Sequence, residues 1–232
     1  MEKNLKGNAS ASEKWSGYYM DTRTSKNYHP ENFISRIFTS KSPVCFIEDN
    51  YVKKRILDLG CGHGRHIPYL NSLGFDVCGM EVSKKQVDEL SKIFTNNVFI
   101  MGDSSNIPIG DNQLDYIMAC NSIYYVEGNS LGFSKHIVEC ARVLIKDGRL
   151  IFSMLGDKHS IFKNSVHKED NIRLVVEDFL NFRNGVLVRP YLFSDRNEDL
   201  FPYFKIEHQG EIIETVGGYC RHIHYFVAIN EK

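Results

Sequence analysis

The sequence predicts an α/β protein built on a doubly wound, mostly parallel sheet. Three observations predict it. Short apolar runs alternate with helix-period segments from residue 55 to 154, the pattern of repeated βαβ units. The run Arg55–Leu59 opens into Gly60-x-Gly62-x-Gly64, a strand–turn–helix junction at which backbone can approach a nucleotide-like ligand. A second run, Phe75 to Met80, ends in Glu81, 21 residues past Gly60, the spacing of a carboxylate that holds both hydroxyls of a ribose.

The elements follow in order. Residues 1 to 13 are polar and read as loose. Trp15-Ser16-Gly17-Tyr18-Tyr19 is aromatic-rich, and Phe33, Ile34, Ile37 and Phe38 repeat as one face of a helix. Strand 55–59 precedes a helix over 65–73, whose Ile67, Leu70 and Leu73 share a face and which Gly74 can end. Strand 75–80 precedes a helix opened by Ser83 with Gln86 three residues later, a capping box, carrying Val87, Leu90 and Phe94 inward. Strands 98–101 and 115–119 come next. A helix marked by Phe133, Ile137, Ala141 and Leu144 follows, and Asp147-Gly148 turns the chain into strand 149–154. From 156 to 190 the pattern is irregular, and a connection that long reads as functional. Asp195 with Glu198 suits a helix start reaching about Phe204. Phe204 to Ile213 and Cys220 to Ile229 read as two strands joined around Gly217-Gly218.

Bulk properties narrow the function. The 232 residues fit one domain with additions, and 42% hydrophobic with 25% charged residues is an ordinary globular balance. A net charge of −1 supplies no general attraction to nucleic acid. No apolar run is long enough for a membrane span, and residues 1 to 14 lack a signal-peptide core, so the expected location is cytoplasmic. Six cysteines (45, 61, 78, 120, 140 and 220) have no paired spacing and read as reduced thiols.

The turn discriminates among nucleotides. A dinucleotide fingerprint would place glycine where Arg65 stands. Asp58, two residues before Gly60, would repel a pyrophosphate but suits a ligand with an ammonium group. Leu57-Asp58-Leu59-Gly60-Cys61-Gly62-His63-Gly64 and Gly79-Met80-Glu81-Val82-Ser83 closely resemble the class I S-adenosylmethionine (SAM)-dependent methyltransferase family. That resemblance implies a Rossmann-like sheet ending in a hairpin with one antiparallel strand. It also implies that the segment before the first strand caps the cofactor cleft, although a helix merely covering the core fits the same pattern. The division that follows is a helical cap over 1–50 and a SAM-binding domain over 51–232 with a lid near 156–190.

The resemblance implies SAM as cofactor and carries to particular residues. Glu81 takes the ribose diol, with Val82 beside it. Asp58 lies near the methionine ammonium, or alternatively supports a helix start. Gly60, Cys61 and Gly62 offer backbone to the methionine tail. Asp103-Ser104 matches the acidic position at the adenine amino group, where an acceptor-only carboxylate suits the NH₂, or is an ordinary loop aspartate. Asn121 matches a position whose backbone faces the cofactor, and Tyr19 of the aromatic segment joins the same set. Arg65 reaches a cofactor carboxylate or an anionic substrate, or is simply solvated.

On the acceptor side, Asn121-Ser122-Ile123-Tyr124-Tyr125 lacks the Pro-Pro found at this place in enzymes that methylate base amino groups. Arg65, His66, Lys158, His159, Arg221, His222 and His224 fall at strand ends and loops, and if several converge the acceptor is anionic. Tyr124, Lys158 and Arg221 are the candidate substrate residues. His159, after the fifth strand, is the candidate general base. Cys220, His222 and His224 share a strand face, which reads as packing and not as a metal site. Gly156-Asp157-Lys158-His159 and the lid loosely resemble methyltransferases of bacterial polysaccharide synthesis. The expectation is O-methylation of a small sugar or phosphate-bearing acceptor, with N- or S-methylation, or a SAM-binding protein without turnover, as alternatives.

Overall fold

The computed structural model describes residues 10–21, 29–39, 50–126, 131–179 and 181–232. Of the expected loose start over 1–13, residues 1–9 lie outside them, as do Cys45 and much of the proposed cap over 1–50, while Ala11 to Glu13 are not loose but form the first turn of a helix. Two helices come first, α1 (Ala11–Asp21) and α2 (Asn32–Thr39). The remaining elements are β1 (Arg55–Leu59), α3 (Ile67–Ser72), β2 (Asp76–Glu81), α4 (Lys84–Ile93), β3 (Val98–Met101), β4 (Leu114–Ala119), β5 (Tyr125–Val126), α5 (Leu131–Val143), β6 (Leu144–Leu155), β7 (Val166–His167), β8 (Arg173–Leu174), β9 (Leu187–Val188), α6 (Asn197–Leu200), β10 (Phe204–Val216) and β11 (Tyr219–Asn230).

Seven strands form the main sheet in the order β10-β11-β6-β4-β1-β2-β3. From β3 to β6 all pairings are parallel, while β11 is antiparallel to both β6 and β10. This is the doubly wound sheet with a C-terminal hairpin. Because β1 pairs with β2 on one side and β4 on the other, the order reverses there. Ligands in such sheets bind beyond the carboxyl ends at that point.

Strand periodicity sorts the core onto two faces. Ile56, Tyr116 and Met118 face α2 and α3, whereas Leu57, Leu59, Ile117 and Ala119 face α5. The four apolar residues of α2 are all buried, each contributing about 1.5–3 kcal/mol by removal from water. That burial fixes α2, and with it the residue that precedes it, Glu31.

Several boundaries differ from the sequence reading. Helix α3 starts at Ile67, because Gly64 takes a left-handed φ of 76° and Pro68 sits in the first turn. Leu144 belongs to β6. Asp195 does not cap α6: its carboxylate instead pairs with Arg189 at 2.8 Å and accepts the Leu192 amide. The irregular 156–190 stretch contributes β7, β8 and β9 to a second, antiparallel sheet in the order β5-β9-β8-β7. Strand β5 lies just past the loop that follows β4, so this small sheet is built directly onto that loop.

Candidate active site

A cavity of about 500 Å³ opens at the carboxyl ends of β1 to β4. Its wall includes Gly60, Cys61, Gly62 and Arg65 after β1, Glu81 and Val82 at β2, Asp103 and Ser104 after β3, Asn121 after β4, and Tyr19 from α1. Asp58 stands apart. It is buried on β1 behind the turn, with Oδ2 lacking a hydrogen-bond partner among the described residues and 3.8 Å from Nδ1 of His66, which itself lines the cavity.

Glycine is required at two points of the turn. Gly60 has φ 73°, and a Cβ there would stand 2.5 Å from Cβ of Ser122. A Cβ on Gly64 would meet Leu90 of α4 and Phe94 just past its end, both at 2.8 Å. The third glycine of the turn therefore supplies the tight helix approach, and Arg65 is free to face the cavity.

The Glu81 carboxylate accepts the Gly62 amide on Oε2 at 3.0 Å and the Val82 amide on Oε1 at 2.9 Å. Burial raises its pKa above the ordinary carboxylate value, and the Val82, Gly62 and Ser83 amides oppose the rise. Each oxygen keeps a free lone pair, so the carboxylate can still accept from a ribose diol. Burial also raises the Cys61 thiol, with Asp58 and Glu81 adding to the effect, which keeps it neutral beside the turn. Asp103 accepts the Ser105 amide at 2.6 Å, a turn that fixes its carboxylate at the cavity wall. Asn121 has φ 57° and is pinned by Ser153, whose hydroxyl oxygen accepts its amide at 2.8 Å. A phosphate-free nucleoside with an amino acid tail fits this cradle. It offers a diol acceptor at Glu81, glycine backbone for the tail and, among the described residues, no cluster of cations for a pyrophosphate.

A second cavity of about 360 Å³ shares Trp15, Asn121 and Tyr125 with the first. Tyr124, Phe179 and Tyr219 supply further aromatic wall, and His159, Arg183, Arg221 and Glu31 supply the polar groups. Nδ1 of His159 accepts the Ile161 amide at 3.2 Å, which leaves the proton of the neutral ring on Nε2. Burial, helped by Arg183 and Arg221, lowers the His159 pKa to about 4, so the ring is uncharged at neutral pH.

The anticipated cationic cluster is only partly assembled. Tyr124, His159 and Arg221 converge, but the exposed Lys158 lines neither cavity. Its amide donates to Nδ1 of His222 at 3.1 Å, which holds this part of the loop against β11. His222 and His224 group with Glu211 across the hairpin, and Cys220 does not join them. With Nδ1 of His222 accepting from Lys158, its Nε2 donates to Glu211 at 2.6 Å, a hydrogen-bonded pair. Sequence reading missed Glu31, which touches Arg65 at 2.9 Å and Arg221 at 2.8 Å, and Arg183, which pairs with Asp178 at 2.7 Å and donates to the Tyr219 hydroxyl. No local pattern marks them, because the Glu31–Arg221 pair joins distant parts of the chain and Asp178 and Arg183 lie in an aperiodic stretch.

Comparison with known proteins places this geometry in a family. Residues 57–152 match the family described as a methyltransferase domain. An uncharacterized methyltransferase of Mycobacterium tuberculosis is 31% identical over 97 residues, which are 42% of this chain and 38% of that protein. The chain thus spans well under half the length of that curated relative. A SAM-dependent methyltransferase from Methanosarcina mazei superposes with a TM-score of 0.66 at 17% identity, covering 87% of this chain and 98% of the other. The 1,6-didemethyltoxoflavin-N1-methyltransferase of Burkholderia thailandensis, solved with S-adenosylhomocysteine, superposes at 0.58 with 14% identity over 78% and 72% of the two chains. At those identities the structural likeness speaks to fold, and the glycine turn with Glu81 speaks to the cofactor. Residues 57–152 thus match a methyltransferase domain, on a fold shared with SAM-dependent methyltransferases.

Proposed function

We propose that the chain transfers a methyl group from SAM to a small polar acceptor bound in the second cavity. The carrying observation is the junction of the two cavities at Trp15, Asn121 and Tyr125. Methyl transfer is an in-line displacement, and it needs two bound partners aligned at one point more than it needs acid–base chemistry. SAM supplies an electrophilic methyl on a sulfonium. The chain supplies Glu81 for the ribose, the 60–62 backbone for the amino acid tail and Asp103 with Ser104 toward the base. Val82, Arg65, Asn121 and Tyr19 complete the wall, and Asp58 acts from behind through His66.

On the acceptor side, Tyr124 and the other rings stack on a sugar or planar face, and Arg221 faces an anionic group. Lys158 remains a candidate only if the loop moves. His159 contacts the acceptor as an Nε2–H donor and positions it, because acting as a base would first require the ring to give up the Ile161 amide. The finer reading is O-methylation of a sugar or phosphate-bearing metabolite, as in bacterial surface-polysaccharide synthesis. The aromatic and arginine lining supports it, with the 156–190 segment as lid and the N-terminal helices as cap. Incubation with SAM and a panel of sugars, sugar phosphates and aromatic acids, followed for S-adenosylhomocysteine, tests it. Cofactor binding with no turnover on any class would leave a SAM-binding protein as the better reading.

A further inference from the structure

Glu31 sits between the two cavities and holds one arginine from each. Oε1 touches Arg65, which lines the donor cavity, and Oε2 touches Arg221, which lines the acceptor cavity. The Arg65 contact is a hydrogen bond at 2.9 Å. The Arg221 contact, at 2.8 Å, is not aligned as one, and among the described residues that buried nitrogen has no other hydrogen-bond partner. Glu31 is held in place from below, since α2 begins at the next residue and buries its whole apolar face. Its amide also donates to Nε2 of His66. The backbone is therefore fixed, and only the side chain is free to change partner.

The charges around the acceptor cavity then count simply. Arg183 is neutralised by Asp178, and His159 is uncharged. Arg65, Arg221 and Glu31 together carry one surplus positive charge, screened only from the surface by the exposed Glu214 carboxylate 3.9 Å from the other Arg221 nitrogen, and the misaligned contact is the one facing the acceptor. A carboxylate in this place occupies the position an incoming anion would take.

We propose that the Arg65–Glu31–Arg221 bridge is an anion-exchange site: a carboxylate or phosphate on the acceptor takes Arg221 from Glu31, which stays on Arg65. This rests on the methyltransfer reading and narrows it to acceptors with one anionic group on a ring or sugar. It also makes Glu31 a specificity-determining residue. In the free protein it satisfies the two arginines, and on binding it competes with the anion, so neutral acceptors gain nothing from Arg221.

The test uses the full chain and its single tryptophan, Trp15, which lines both cavities and reports their occupancy. Benzoate and its neutral isostere benzamide are titrated against wild type, Glu31→Gln and Arg221→Gln, with S-adenosylhomocysteine and 5′-methylthioadenosine titrated in parallel. Removing the competing charge should tighten benzoate about tenfold or more in Glu31→Gln, with benzamide unchanged, and Arg221→Gln should abolish the preference. If Glu31→Gln does not fold, Glu31→Asp keeps the charge but is too short to span both arginines, and it should show the same preference at smaller size. Equal changes for benzoate and benzamide would mean a purely structural role and overturn the proposal. Tightening of S-adenosylhomocysteine over 5′-methylthioadenosine, without any for benzoate, would put the surplus charge on the donor side and overturn it as well. Failure of S-adenosylhomocysteine to bind any variant would instead sink the methyltransfer reading, whatever the anions do.

Discussion

Replacing Glu81 with glutamine tests the donor site with almost no change in shape. In the free protein each carboxylate oxygen accepts one amide, from Gly62 or Val82. Glutamine keeps one acceptor and turns an NH₂ toward the other amide, so one loop contact is lost along with the paired acceptance of a ribose diol. Losing two charge-assisted hydrogen bonds costs about 1.5–3 kcal/mol each. Against that, burial already disfavours the Glu81 charge, so the variant recovers part of the loss. The net is about 2–4 kcal/mol of cofactor affinity, a weakening of roughly 30- to 1000-fold. Calorimetry with S-adenosylhomocysteine reads the affinity, and thermal unfolding of the free protein should change little. The pH dependence supplies a second check. Binding needs the ionised carboxylate, and its pKa lies above the ordinary 4.5, so wild-type affinity should fall as pH drops through that raised value. Glu81→Gln should lack this acid limb. A weakening below about threefold with an intact circular dichroism spectrum would refute the reasoning.

Three further outcomes follow from the same geometry. Gly60→Ala forces a Cβ to 2.5 Å from Ser122 at φ 73°, so both stability in urea and S-adenosylhomocysteine binding should fall, by about 2 kcal/mol or more in stability. The His159 pKa is lowered from 6.5 to about 4, so its contribution of up to about 3 kcal/mol is present above pH 6.5 and lost as pH falls from there toward 4. Urea unfolding at pH 7 and 4.5 should show that loss in wild type and much less of it in His159→Asn. Phe182 stacks on Tyr18 at 4.4 Å and meets Trp15 edge-on at 4.8 Å, so Phe182→Ala should loosen α1 from both cavities. It should weaken S-adenosylhomocysteine by about 1–2 kcal/mol, and unchanged affinity would remove the α1 contact from the donor site.

The parts legible in the sequence are those encoded locally. Strands β1, β2 and β4 announce themselves because their side chains alternate between two buried faces, whereas β3, at the sheet edge, leaves Val98 and Met101 exposed and is marked by its short apolar run alone. The glycine turn and Glu81 are legible because close backbone approach restricts the residue type in the turn and a strand-end carboxylate 21 residues past Gly60 is a readable spacing. Helix α2 was visible from the spacing of Phe33, Ile34, Ile37 and Phe38, all of them buried. The small second sheet was not, since β5, β7, β8 and β9 have two residues each and no period can be read from two. The acceptor cavity was half legible for a related reason. His159 and Lys158 are neighbours in sequence, but successive side chains diverge, and only His159 turns inward. Glu31 escaped because ion pairs between distant segments leave no trace in either one.

The loop after β4 explains why the two cavities, the proposed donor and acceptor sites, stay in register. Ser122 packs against Gly60 of the donor turn and donates its hydroxyl to the Leu59 carbonyl at 2.6 Å. Asn121, in the left-handed region, turns the chain sharply and has its amide held by Ser153 of β6. Three residues later Tyr124 lines the second cavity, with its carbonyl accepting the Arg189 amide, and Tyr125 begins the small sheet. Five consecutive residues therefore run from the donor glycines to the acceptor wall, anchored at each end by hydrogen bonds to separate elements. A left-handed asparagine costs on the order of 1 kcal/mol and persists only where its surroundings fix it. Here the fixing groups belong to β1 and β6, the strands on either side of β4, so the rigid centre of the sheet sets the separation of the cavities. In a displacement whose rate depends on alignment of donor, methyl and acceptor, that is the dimension the fold most needs to hold constant.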